Sequence, residues 1–220
     1  MIRVLLVDDH RLFRAGLSRM LAEVPSITLV GEADTGEGAV NLARELRPNV
    51  VLMDLFMPGI GGLEACRRIV ALKLDIKVLM VSGCTEAPFP AQALRAGATG
   101  YVSKSIPPDE LLAAIKKTFV AKRYLSREIA DQLALRSFEN SPECPFDLLS
   151  GRELQIMLMV VNCQKVGEIS SDLHLSPKTV NSYRYRIFEK LNVSSDVELA
   201  LMAVRHGMIT TGGQPRLLPA

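Results

Sequence analysis

A chain of 220 residues allows one or two domains; 48% hydrophobic residues supply real cores, and with 5% aromatics and no Trp these must pack mainly through aliphatic side chains. A formal net charge of +2 excludes binding to nucleic acid by global basicity, so any such site must be local. The four cysteines (Cys66, Cys84, Cys144 and Cys163) include no Cys-x-x-Cys pair, which argues against a disulfide framework or zinc site and for reduced thiols in a soluble, cytoplasmic protein, and no apolar run reaches the roughly 18 residues that membrane insertion needs.

The N-terminal segment reads as a strand at 3–7 that ends in two aspartates, not as a signal peptide. A helix is expected at 12–23, a strand at 28–33 and a helix at 36–46. An unbroken apolar run, Val50-Val51-Leu52-Met53, then leads into Asp54, with Pro58, Gly59, Gly61 and Gly62 close behind. Such a run fits a strand buried on both faces, as parallel sheets require. The next helix begins near residue 63, and a fourth strand spans 77–82. After Pro88-Phe89-Pro90 comes a weak helix near 91–96, a fifth strand at 100–102, and a helix opened by Pro107-Pro108 that runs to about 119. Proline is tolerated in a first helical turn. Five successive βα units predict a doubly wound, flavodoxin-like α/β domain with a five-stranded parallel sheet and helices on both faces.

In this topology the first and third strands are neighbours, so Asp8, Asp9 and Asp54 converge at one sheet edge, where ligands of open α/β sheets bind. Carboxylates about 4 Å apart repel by about 4 kcal/mol at an effective dielectric near 20. A proton or a hard divalent cation relieves this, and Mg²⁺ suits an incomplete set of oxygen ligands. Ser82 ends the fourth strand and Lys104 follows the fifth. A hydroxyl and an ammonium facing a carboxylate with bound Mg²⁺ make a site for a phosphoryl group on Asp54. Any one of these residues alone could be a helix cap or a solvated charge; all five at the ends of four strands point to a site.

Val7-Asp8-Asp9-His10, Met53-Asp54 with Met57-Pro58-Gly59, Ser82, and the run Ala96-Gly97-Ala98-Thr99-Gly100-Tyr101-Val102-Ser103-Lys104 resemble the receiver domains of response regulators. The resemblance implies a phosphoacceptor at Asp54 and Mg²⁺ held by Asp9, Asp54 and the backbone carbonyl of Phe56, with Asp8 acting through water. It further implies phosphoryl contacts from Ser82 and Lys104, and a switch role for Tyr101, whose alternative is a plain half-buried strand aromatic. Ser105 stands where many receivers have proline. A dehalogenase-like phosphatase would also use a strand-end aspartate, but that family places a second acid where Phe56 stands, so a regulator is expected here, not an enzyme.

The receiver is expected at 1–121, followed by a linker at 122–145 with a helix near 126–138 and a polar stretch, Glu139-Asn140-Ser141-Pro142. From residue 146 to 211 the pattern predicts a small all-α domain of four helices, and residues 212–220 read as a flexible tail. Ser150-Gly151-Arg152-Glu153 reads as a capping box opening a helix to about 161, and 165–173 as a second helix. Ser176-Pro177 opens a third to about 191, and Ser195-Asp196-Val197-Glu198 a second capping box before a fourth helix ended by Gly207.

The third helix carries Lys178, Arg184, Arg186 and Lys190 against Glu189. After the tight turn at His174-Leu175 it reads as the second helix of a helix-turn-helix, with its N-terminal half in the major groove. Val180, Ile187 and Leu191 mark its buried stripe. Asn181, Ser182 and Tyr185 are then the candidates for base edges, and Lys178, Thr179, Arg186 and Lys190 for phosphates. Arg184 falls on the buried stripe, with its head expected to snorkel to phosphate. Leu149-Ser150-Gly151-Arg152-Glu153, Ser176-Pro177-Lys178-Thr179-Val180 and Ile187-Phe188-Glu189-Lys190-Leu191 resemble the LuxR/NarL-type helix-turn-helix. The later Ala203-Val204-Arg205-His206-Gly207-Met208 narrows the likeness to the GacA/UvrY/SirA group of regulators. That resemblance implies a sensor histidine kinase as phosphodonor, a double-stranded DNA operator, and activation of small regulatory RNA genes. It also implies a homodimer when active, through Leu199, Met202, Ala203 and His206 of the fourth helix, unless these are ordinary core.

Overall fold

The computed structural model describes residues 1–85, 88–138 and 145–206. It divides into two compact units, Met1–Glu139 and Asn140–Ala220. The first unit is built on a parallel sheet of six strands, one more than the sequence predicts, in the order β2-β1-β3-β4-β5-β6. The strands are β1 (Ile2–Val7), β2 (Ile27–Ala33), β3 (Val50–Met53), β4 (Lys77–Ser82), β5 (Gly100–Ser103) and β6 (Tyr124–Leu125). The first five stand where the apolar runs predict them. The sixth is missed because two residues are too short for any periodicity to show.

The helices are α1 (Arg11–Ala22), α2 (Gly36–Leu46), α3 (Gly61–Ala71), α4 (Phe89–Arg95), α5 (Pro108–Phe119) and α6 (Arg127–Phe138). Side chains alternate across a strand. On one face Val4, Leu6, Val50, Leu52, Leu79, Val81 and Val102 pack with Leu17 and Leu21 of α1 and with Leu111, Ala114 and Ile115 of α5. The opposite face carries α2, α3 and α4. The segment that looked irregular at Pro88-Phe89-Pro90 is the start of α4, with Pro90 in its first turn. Phe89 is buried, and its ring meets Phe56 edge-on at 5.3 Å between centroids. That contact pins α4 to the loop after β3.

The second unit opens with a 3-10 turn, Pro145–Leu148, and continues as α7 (Gly151–Val161), α8 (Val166–Asp172), α9 (Pro177–Leu191) and α10 (Asp196–Arg205). The capping box predicted at Ser150 is complete: its hydroxyl accepts from the Glu153 amide while Glu153 accepts from the Ser150 amide. The one predicted at Ser195 is only half formed. Ser195 caps the Glu198 amide, but the Glu198 carboxylate accepts from the amide and hydroxyl of Ser194 instead. Among the described residues Cys66, Cys84 and Cys163 are free thiols, and no helix is long and apolar enough to cross a membrane. Cys144, most of the polar stretch at 139–145, Gly207 and the tail lie outside the described residues.

Candidate functional site

The register of the sheet assembles the acidic site. Val7 of β1 stands opposite Met53 of β3, and the Asp54 amide donates to the Val7 carbonyl at 2.8 Å. The residues that follow each strand therefore leave the sheet side by side. Asp8, Asp9, His10 and Asp54 each offer one ligand atom within 4.8 Å of the others. On the far side of β3, the Lys104 amide donates to the Ser82 carbonyl at 2.9 Å, which ties the ends of β4 and β5 together.

Lys104 is the hub of the charges. Its ammonium lies 2.8 Å from Asp8 Oδ2 and 2.9 Å from Asp54 Oδ2, 3.3 Å from His10 Nδ1, and over the Phe13 ring at 4.9 Å. Asp8 and Asp54 are only 1% and 3% exposed. Burial pushes the Asp54 carboxyl up to about 7 against the pull of Lys104, and Asp8 and Asp9 add to the rise. Burial also raises Asp9, against the pull of His10. Burial works against the Lys104 ammonium, yet Asp54 and Asp8 outweigh it and hold Lys104 above its ordinary value. One half-buried ammonium thus faces a cluster of three carboxylates, a site short of positive charge.

The carboxylates are oriented by the backbone. Asp54 Oδ1 accepts from the Leu55 amide at 2.7 Å, and Asp8 Oδ1 from the His10 amide at 2.8 Å. The Arg14 guanidinium donates to the Asp8 carbonyl and pairs with Glu32 at 3.2 Å. Asp9 Oδ1 is buried and accepts no hydrogen bond from the described residues, although His10 Nδ1 stands 2.9 Å away. His10 and Arg14 join the site without a motif of their own to mark them; the first is the residue next to Asp9, and the second lies one helical turn on.

Tyr101, the expected switch residue, is fully buried and not half-buried. Its hydroxyl donates to the Cys84 carbonyl, and the Cys84 amide donates to Ser82 Oγ at 3.2 Å. Burial pushes the phenol well above its usual range, so it stays a neutral donor. In the loop after β3, the Phe56 side chain packs against Phe89 at the start of α4.

In the second unit α9 presents Lys178 and Arg186 to solvent, and Tyr185 is 73% exposed. Asn181, Ser182 and Thr179 are half-buried. Val180, Ile187 and Leu191 are buried, as predicted. Ser176 caps the helix through the Thr179 amide at 3.1 Å, with Pro177 in the first turn.

Two predicted phosphate contacts are engaged within the domain. The Arg184 guanidinium lies on Asp196 and on Asn181 Oδ1, within its own domain; from the buried stripe it reaches the start of α10 sooner than the open face. Lys190, in the last turn of α9, pairs with Glu153 Oε2 at 2.6 Å and donates to the Leu148 carbonyl at 3.3 Å. It clamps α9 to the start of α7, far from the helix N-terminus. Two predicted dimer contacts lie in the core of the domain. Leu199 and Ala203 are buried, and α10 packs on α7. His206, half-buried, meets the Phe146 ring edge-on at 5.8 Å. The exposed apolar residues of α10 are Val197 and Leu201, and their spacing of four, one face of a helix, was the signal available in the sequence.

Comparison with known proteins agrees with this division. Residues 4–116 match the model of the response regulator receiver domain, and residues 147–203 that of the luxR family of bacterial regulatory proteins. The response regulator GacA of Pseudomonas aeruginosa is 57% identical over 210 residues, which span 95% of this chain and 98% of that protein. The response regulator UvrY of Escherichia coli is 54% identical over 209 residues, 94% of this chain and 96% of that protein. Among solved structures, the response regulator ChrA of a heme-sensing two-component system aligns over 94% of this chain and 98% of its own, at 30% identity and a TM-score of 0.53. With its acidic cluster at the receiver sheet edge and its capped helix-turn-helix, the chain belongs to the two-component response regulators that join a receiver domain to a DNA-binding domain of the luxR type.

Proposed function

We propose that the chain is a phosphorylation-controlled transcription factor of the cytoplasm, loaded at Asp54 by a sensor histidine kinase. The observation that carries this reading is the Lys104 ammonium bridging Asp8 and Asp54. In the transfer, an Asp54 carboxylate oxygen attacks phosphorus and the bond to the donor nitrogen breaks, leaving an acyl phosphate. Lys104, 2.9 Å from Asp54, and Ser82, at the end of β4, would receive the phosphoryl oxygens. The oxygen-rich donor set and the unsatisfied buried Oδ1 of Asp9 fit Mg²⁺. Asp9, Asp54 and the Phe56 carbonyl would hold it, with Asp8 acting through water. When bound, the ion supplies positive charge where the transferred group gathers negative charge.

In the DNA-binding domain, Asn181, Ser182 and Tyr185 read base edges, and Lys178, Thr179 and Arg186 hold phosphates. The loaded chain pairs with a second copy through α10, where Val197 and Leu201 form an exposed apolar stripe beside Met202 and His206. The targets we assign to it are small regulatory RNA genes, which the family resemblance in the sequence implies. Two measurements test the reading. Incubation of the full chain with acetyl phosphate and Mg²⁺ should yield a slower band on a phosphate-affinity gel, absent with a chelator, and that form should bind operator DNA more tightly. Equal affinity of both forms would favour a DNA binder that ignores its receiver. In the second, Lys178→Ala should weaken binding to all sequences alike and flatten the salt dependence by about one unit of slope. A loss confined to one operator base would overturn the phosphate role of Lys178.

A further inference from the structure

The segment predicted as a linker from residue 122 begins inside the receiver sheet. In β6, Tyr124 stands opposite Gly100 and Leu125 opposite Tyr101. The Tyr124 amide donates to the Thr99 carbonyl at 3.2 Å, and the Ser126 amide to the Tyr101 carbonyl at 3.3 Å. Gly100 makes room for this pairing: a Cβ there would stand 2.6 Å from the Tyr124 carbonyl oxygen. Tyr124 is anchored by its hydroxyl, which donates to Glu110 at 2.9 Å, and by Lys117 over its ring at 5.1 Å. The Ser126 carbonyl then accepts from Ala130 at 3.0 Å, in the first turn of α6. Ser126 is therefore the joint at which the sheet becomes the helix leading to the second domain.

The other end of this path reaches the site. Tyr101 is held through its hydroxyl by the Cys84 carbonyl, and Cys84 through its amide by Ser82 Oγ. A serine hydroxyl has one proton and two lone pairs. The Cys84 amide sits on a lone pair and the hydroxyl also bonds the Tyr101 phenol, so an oxygen placed on Asp54 competes for its proton. A phosphoryl group there offers three charged acceptors, and a bond to a charged acceptor is roughly twice as strong as a neutral one. Reorienting Ser82 pulls on the Cys84 peptide and so on Tyr101.

We propose that β6 is the output strand of the receiver: a change at Asp54 reaches α6 through the hydrogen bonds Ser82–Cys84–Tyr101–Ser126. This rests on the reading of Asp54 as phosphoacceptor. The Ser126–Tyr101 bond is the joint that responds, since it is the last bond of the sheet before the chain turns into α6.

The test uses the full chain with Mg²⁺ and beryllium fluoride, a phosphoryl mimic whose capture is followed by ¹⁹F NMR, and reads hydrogen exchange at the amides of Tyr124 and Ser126. Capture should change exchange at Ser126 by about tenfold, a usual size for coupling between sites. Ser126→Pro removes the donor and leaves Leu125 extended, the conformation that a following proline favours. This variant should capture beryllium fluoride as the parent does, while its affinity for operator DNA no longer responds. Unchanged exchange at Ser126 in the loaded parent overturns the proposal without any variant having to fold. So does an undiminished DNA response in Ser126→Pro. Absence of captured fluoride in the parent would instead overturn the reading of Asp54, and the output strand with it.

Discussion

Asp54→Asn is expected to take up no phosphoryl group from acetyl phosphate or from a phosphorylated histidine kinase, and to be no less stable than the parent. The first half follows from chemistry. An amide oxygen is a poor nucleophile, and no other carboxylate of the cluster has the same surroundings: Asp8 is engaged by Lys104, the His10 amide and His10 Nδ1, and Asp9 is the more exposed. The second half follows from electrostatics. Burial, opposed by Lys104 and helped by Asp8 and Asp9, raises the Asp54 carboxyl from 3.8 to about 7. The folded state then holds a proton that the unfolded state has released. Stability therefore falls as pH rises from the unfolded value through the folded one. Asparagine keeps the shape and removes that cost, so the difference in stability should favour the variant above pH 7 and vanish below pH 4. Phosphate-affinity gels and thermal melts across pH read the two halves separately. Phosphoryl uptake by Asp54→Asn at the parent's rate would remove Asp54 from its role, while a lower melting temperature at pH 8 would show that Lys104 needs both carboxylates.

The elements that position this site are those whose residues announce themselves. The run at 50–53 is apolar on both faces because β3 is covered on both sides, so its end, and Asp54, could be placed by counting. Asp8, Ser82 and Lys104 follow from the same logic, since each sits where an apolar run stops. What could not be read is who pairs with whom. Arg184 and Lys190 look like DNA contacts in a basic helix; only the folded domain shows Asp196 and Glu153 within their reach. Leu199 and Ala203 look equally fit for a core or an interface, because burial depends on α7, which lies some forty residues earlier in the chain. The strand β6 escaped because its signal is not periodic: it is the absence of a Cβ at Gly100, on a different strand.

Gly62→Ala is expected to destabilise the receiver by about 3 kcal/mol or more, the upper end of what overpacking costs. A Cβ at this position would stand 1.9 Å from the Asp54 carbonyl oxygen, 2.9 Å from its carbonyl carbon and 3.0 Å from Leu55 Cα. All three are backbone atoms, so no side chain can swing aside. The two segments are also tied by the Gly62 amide, which donates to the Leu55 carbonyl at 2.9 Å. Either α3 must lift off β3 or the Asp54–Leu55 peptide must turn. Turning it moves the Leu55 amide that holds Asp54 Oδ1, so the acceptor itself is displaced. For a domain of this size the loss lowers the receiver's melting temperature by about 10 °C or more. Gly16→Ala is the matched control. Gly16 lies inside α1 with nothing within 4 Å of an added Cβ, so alanine there should stabilise by about 1 kcal/mol through helix propensity alone. Thermal unfolding of the full chain, following the receiver's transition, compares the two. Gly62→Ala melting within about 2 °C of the parent, less than 1 kcal/mol, would mean that α3 yields freely, and the close seating of its first turn would then not be what fixes Asp54.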